Sequence, residues 1–185
     1  MPILDEEGEE EAILEAAKLM LVSARTAPKS GGIDDIVLAV AYGKEKDEIA
    51  SEMEKIAEER NTKDFQRDGK NLRDSQAVLL IGIKGPKSFG LNCGACGHVT
   101  CEDFEQAARK QGQDFVGPTC IFKALDMGIA LGSAAKTASL LNVDNRIMYR
   151  VGTAAKRLGF LPEAHVLMGI PLSAKGKSVY FDRPP

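Results

Sequence analysis

Ala77-Val78-Leu79-Leu80-Ile81-Gly82-Ile83 is the stretch on which the fold turns, a short run with no charged or polar side chain. An apolar segment of this length, with β-branched residues at several positions, reads as a strand buried on both faces rather than as one side of an amphipathic helix. Upstream, Ile36-Val37-Leu38-Ala39-Val40-Ala41-Tyr42 has the same character, and downstream Glu163 to Pro171 reads as a third strand.

Between and around these strands the period changes. From Glu9 to Arg25, residues Ile13, Ala16, Ala17, Met20, Leu21 and Ala24 recur at three and four, the stripe of an amphipathic helix that Ala27-Pro28-Lys29-Ser30-Gly31-Gly32 brings to an end. The same period predicts helices over Lys44 to Arg60, Asp64 to Asp74, Cys101 to Gln111, Ile121 to Leu141 and Ile147 to Leu158, with Gly159 as the C′ residue of the last. The acidic run Asp5 to Glu11 reads as a solvated, frayed start. Gly128 and Gly132 in the long, small-residue helix each cost about 1 kcal/mol relative to Ala, a cost that close helix packing in the core or in a dimer would offset. The sum is an α/β (α+β) chain in which a central sheet is flanked by helices.

Composition narrows the function classes. With 185 residues, 44% apolar and 28% charged, the chain is long enough for a substantial core. Its 24 basic and 27 acidic side chains leave no basic excess of the kind nucleic acid selects. The start, Met-Pro-Ile-Leu followed by acidic residues, is unlike a secretory signal, and no apolar run approaches the roughly 20 residues of a membrane span, so a cytoplasmic protein is expected.

Four cysteines carry the chemistry. Cys93, Cys96, Cys101 and Cys120 form the pattern C-x2-C-x4-C-x18-C. In a reducing compartment such clustering points to a metal rather than to disulfides. A cubane needs thiolates at four corners; a tight loop supplies three and a fourth returns from elsewhere. Gly94 and Gly97 allow the required backbone angles and expose N–H groups to anionic sulfur. Cys101 and Cys120 each stand before a helix. Structural zinc accepts four thiolates too, but its usual ribbon has two Cys-x2-Cys knuckles where this chain has one. A metal-free thiol switch is the third reading. His98 and His165 read as structural side chains, since four thiols need no further ligand.

The segment Cys93-Gly-Ala-Cys-Gly-His-Val-Thr-Cys101-Glu-Asp-Phe104 closely resembles the four-cysteine [4Fe-4S] motif of corrinoid iron–sulfur proteins and of an electron-transport complex subunit. Across nearly its whole length the chain is similar to uncharacterised ferredoxin domain-containing proteins of anaerobic bacteria and archaea. Its flanks resemble nitroreductases, at Ser23-Ala-Arg-Thr-Ala-Pro-Lys-Ser30, from Asp126 through Gly132, at Leu158-Gly159 and from Val166 to Pro171. That second resemblance implies a homodimer binding FMN at the subunit interface, with Arg25 and Lys29 at the positions to hold the flavin phosphate. The chain departs from that family in lacking its Arg-rich opening motif.

The expectation is therefore a nitroreductase-like body, residues 1–83 and 121–185, carrying an inserted four-cysteine segment over 84–120. A [4Fe-4S] cluster on Cys93, Cys96, Cys101 and Cys120 would pass electrons to a redox partner protein, a small-molecule acceptor or a bound flavin, possible oxidoreductase chemistry. The alternative is a non-enzymatic module, iron–sulfur or zinc, for partner docking or redox sensing.

Overall fold

Alternation along strand β2 (Ala77–Lys84) sets the layering of the molecule, a computed structural model that describes residues 2–181. Residue 1 and residues 182–185, the ends of the two body ranges, lie outside the described residues. Ala77, Leu79, Ile81 and Ile83 face one apolar cluster, packed by Ile13, Ala17 and Met20 of helix α1 (Asp5–Thr26) and by Ala130, Ala134 and Ala138 of helix α5 (Ile121–Leu140). Val78 and Leu80 face a second cluster, with Ile49 and Met53 of helix α2 (Gly43–Glu59), Phe65 and Leu72 of α3 (Lys63–Arg73), and Val151 and Ala154 of α6 (Tyr149–Arg157). A sheet covered by helices on both sides follows, as the uninterrupted apolar run predicts.

The sheet order is β1-β2-β6-β5, with β1 Ile36–Tyr42, β5 Asp144–Asn145 and β6 Ala164–Ser173. Each neighbouring pair is antiparallel, with Ile36 opposite Ile83 and Tyr42 opposite Ala77 on one side of β2, and Ala77 opposite Leu172 on the other. β2 is buried from Ala77 to Ile83, as expected, and ends in the exposed Lys84, whereas β1 lies at the edge and is half-buried in its middle, ending in the exposed Tyr42. As an edge strand β1 pairs with β2 alone, which leaves its outer side without a neighbouring strand.

Three helical expectations change in extent. α1 begins at Asp5 rather than Glu9, so the acidic run is helical; Asp5, Glu6 and Glu7 occupy its first turn, where negative charge offsets the macrodipole. α6 begins at Tyr149, because Met148 exchanges two backbone hydrogen bonds with Gly169 of β6. The helix predicted over Cys101 to Gln111 stops at Gln106, giving a short α4 (Cys101–Gln106). Lys110 and Gln111 pair instead with Val116 and Gly117 as a two-stranded hairpin, β3 with β4, which draws the chain away from helical angles.

The predicted C′ role of Gly159 holds: its φ is +85°, its N–H donates to the Lys156 carbonyl, and Phe160 N–H donates to the Ala155 carbonyl, the Schellman pair. The glycines of α5 differ from expectation within the chain. A methyl group at Gly128 or Gly132 would meet nothing within 4 Å, and Leu125 and Ile129 beside them are exposed, so no described helix closes over that face.

Candidate metal centre

Residues 85–120 connect the end of β2 to the start of α5 and hold all four cysteines. Gly94 and Gly97 sit at φ +72° and +87°, and Gly97 N–H donates to the Gly94 carbonyl at 2.9 Å. This bond closes a tight turn around Cys96, a path open to glycine and strained for a side chain. Thr100 then starts α4 through a reciprocal cap: its hydroxyl accepts from Asp103 N–H at 3.0 Å while the Asp103 carboxylate accepts from Thr100 N–H at 3.2 Å. Cys101 thereby becomes the first residue of α4. Cys120 is the N-cap of α5 and is buried.

Cys93, Cys96, Cys101 and Cys120 line one shallow concavity, whose other walls include Phe89, Phe104, Phe122, Leu91 and Ile121. The thiols are drawn from a loop, a turn and two helix starts, so tertiary folding rather than the local motif gathers them. Among the described residues no three Cys, His, Asp or Glu side chains converge as a ready-made metal-ligating group. A shared, aromatic-walled concavity with an all-thiol donor set nevertheless fits a soft metal centre. Within this set Cys93 is exposed and Cys120 is buried.

Cys101 is prepared for the thiolate form. Hydrogen bonding from the Asn92 N–H, 3.3 Å from Sγ, is the largest influence on its pKa; the Ser88 side chain and the Gly90 and Leu91 N–H groups act in the same direction, and together they outweigh burial and lower it. Asn92 also returns its Oδ1 to Cys101 N–H at 2.7 Å and holds φ +51°, a conformation Asn tolerates. In the metal-free chain, alkylation of Cys101 is expected to gain its thiolate rate at lower pH than a cysteine in an unstructured peptide. Mass-resolved iodoacetamide labelling across pH checks this, and a coincident profile would remove the hydrogen-bond argument.

Both histidines lie close to this segment. His98 lines the concavity edge-on to Phe104, with ring centres 5.9 Å apart. His165 packs against Gly85, where a methyl group would lie 1.9 Å from its Nδ1; burial pushes its pKa down, and Arg109 and Lys156 add to that.

Arg25 and Lys29 close the C-terminal end of α1. Arg25 pairs with Asp34 and donates to the Ile36 carbonyl at 2.8 Å. Lys29, its ammonium buried, donates to the carbonyls of Ala24, Arg25 and Ala27. These contacts complement the negative end of the helix. The neighbouring turn Ser30–Gly32 reaches the cysteine concavity, because a methyl group on Gly31 would lie 2.6 Å from the Phe89 ring, which itself stacks on Phe122 at 5.6 Å. Sequence reasoning missed Asn92, Thr100, Asp103 and Phe89. Thr-x-x-Asp before Phe104 was a legible cap signal, whereas nothing local marks Asn92 or Phe89.

Residues 116–183 match the family described as uncharacterized protein containing a ferredoxin domain (DUF2148). Over 185 residues, 100% of this chain and 99% of its relative, the sequence is 51% identical to an uncharacterized protein of Archaeoglobus fulgidus. The chain belongs to this ferredoxin-domain family. The matched residues contain Cys120, α5, α6 and β6, and the other three cysteines precede them.

Solved structures show the fold to be nitroreductase-like. A putative nitroreductase from Desulfovibrio desulfuricans in complex with FMN is 13% identical, with TM-score 0.56 over 92% of this chain and 79% of its own. Nitroreductase CinD from Lactococcus lactis in complex with nicotinic acid is 14% identical, with TM-score 0.55 over 94% and 85%. The FMN-dependent nitroreductase NfnB from Mycobacterium smegmatis in complex with NADPH is 14% identical, with TM-score 0.57 over 90% and 80%. No helix among the described residues is long and apolar enough to cross a membrane.

Proposed function

We propose that this chain is an iron–sulfur redox protein in which Cys93, Cys96, Cys101 and Cys120 hold one [4Fe-4S] cluster. In this reading residues 84–120 are an insertion in the nitroreductase-like body. One observation carries it: four cysteines, including one from beyond the local motif, line a single concavity. Bound there, the cluster supplies one-electron transfer. The chain's own groups do the rest. Gly94 and Gly97 shape the loop, Asn92 N–H favours the thiolate at Cys101, and Phe89, Phe104 and Phe122 give the concavity apolar walls around the buried Cys120. The electrons go to a redox partner protein, a small-molecule acceptor or a flavin, in the cytoplasm.

Anaerobic purification followed by a visible spectrum and iron, sulfide, zinc and flavin analysis tests this. A brown absorbance that bleaches on reduction, with about four irons and four sulfides per chain, is the expected result. A colourless protein with one zinc and no iron after reconstitution would replace it with a structural metal module. Light scattering on the same sample reports whether the chain is the homodimer of this reading, for which the open face around Gly128, Ile129 and Gly132 offers a surface.

FMN is the second reading, favoured by the turn Ser30–Gly32, which joins the end of α1 to the cysteine concavity. Its phosphate would take Arg25 and Lys29. The fit is incomplete, since Lys29 is already satisfied by three carbonyls and Arg25 by Asp34. Arg25→Ala should weaken FMN binding about tenfold or more if the guanidinium holds the phosphate, given about 1.5–3 kcal/mol for a charged hydrogen bond. Fluorescence titration with unchanged affinity would assign Arg25 to helix capping alone.

A further inference from the structure

We propose that Arg109 is a positioning residue that holds Cys101 and Cys120 at a fixed separation, an inference that rests on the four-cysteine reading above. The two cysteines belong to different helices, and 18 residues separate them in the chain. Arg109 spans the gap. Its Nη1 donates to the Pro118 carbonyl at 3.0 Å, two residues before Cys120. Its Nη2 donates to the carbonyls of Phe104 and Glu105, the latter at 3.2 Å, on the helix that Cys101 begins. The guanidinium lies over the Phe104 ring at 4.6 Å, and Phe104, almost completely buried, walls the cysteine concavity.

Each contact depends on the planar fork of arginine. A helix of six residues leaves its last carbonyls without intrahelical partners; Nη2 satisfies two of them while Nη1 reaches Pro118, just past β4. Lysine offers one nitrogen, which cannot be in both places. The guanidinium over Phe104 also places one positive charge beside the concavity, the kind of local charge on which a bound cluster's potential would depend. The hairpin of Lys110–Gln111 with Val116–Gly117 explains itself on this view, because it turns the chain from Arg109 back to Pro118 within hydrogen-bonding reach.

The test separates this role from the cluster reading by using the thiols alone. In a full-length Cys93→Ser, Cys96→Ser background, Cys101 and Cys120 are the remaining thiols, and phenylarsine oxide binds tightly when one arsenic bridges two sulfurs. Arg109→Gln and Arg109→Lys should each weaken its capture about tenfold or more, because the effective concentration of one thiol at the other falls. In the four-cysteine chain with iron loaded, Arg109→Gln should shift the midpoint potential to more negative values and hasten iron loss to a chelator. Arg109→Lys should restore the potential and leave the iron loss fast. Equal arsenical capture by the Arg109 chain and both variants, with the same circular dichroism, overturns the proposal. If the parent chain takes up no iron yet the arsenical difference persists, the cluster reading falls and the positioning role stands.

Discussion

Cys120→Ala is expected to cut bound iron from about four per chain to fewer than about one after exposure to a chelator, with sulfide falling in parallel. Cys120 is the buried cysteine of the four and the one supplied from outside the loop. In the proposed site its removal would leave three thiols, and its neighbours in the concavity, Phe104, Phe122 and Ile121, could not ligate iron in its place. Alanine gives a cleaner result than serine, whose hydroxyl would keep an oxygen ligand in place. The fold itself should survive. The lost sulfur stabilises packing by about 1 kcal/mol, and the cap of α5 depends on the backbone, since Cys120 makes no side-chain cap hydrogen bond. Circular dichroism and the metal-free Tm therefore serve as controls, while iron and sulfide assays report the site. Full iron retention by a folded Cys120→Ala chain would show that Cys120 is not a ligand.

The largest stability effect is expected at Gly152. A Cβ there would lie 1.8 Å from the Leu167 carbonyl oxygen, 2.3 Å from its carbon and 2.7 Å from Met168 N. All three atoms are backbone of β6, so no rotamer change relieves the clash. α6 must lift off the sheet. That lift would strain the paired backbone bonds of Met148 with Gly169 and open the packing of Val151, Ala154 and Leu167. Gly169 completes the close approach from the strand side, since a methyl group there would lie 2.2 Å from Val151 Cγ1. Gly152→Ala should therefore destabilise by about 3 kcal/mol or more, despite a helix propensity gain of about 1 kcal/mol. At roughly 2–4 °C per kcal/mol the Tm falls by about 10 °C. Gly128→Ala is the counterpart: with open space around it, the same substitution should be neutral or stabilise the isolated chain by up to about 1 kcal/mol. A Gly152→Ala chain within 1 kcal/mol of the parent in urea unfolding would show that α6 is not held against β6 as described.

Much of the fold was legible where the signal is local. The period of α1, with Ile13, Ala17, Met20 and Ala24 on its buried face, and the unbroken run of β2 both name their elements from neighbouring residues. The four cysteines were legible for a chemical reason, since clustered thiols with glycines between them suit few purposes besides soft-metal ligation. The family carried the nitroreductase-like resemblance as well, yet resemblance assigned Arg25 and Lys29 roles that the structure accompanies with Asp34 and three helix carbonyls.

What the sequence by itself determined is the longer helices and strands and the clustering of the four cysteines, because helical and strand periods depend on residues a few positions apart. Tertiary structure alone decided that the sheet is antiparallel with β1 and β5 at its edges, and that Cys120 joins the loop cysteines around one concavity. It also decided that the helix from Cys101 ends at Gln106 and that Arg109 bridges Phe104 to Pro118. The physical reason is common to these cases. The two-residue strands β3, β4 and β5 are too short to show a period, and a bond between groups far apart in the chain exists only after intervening loops have closed.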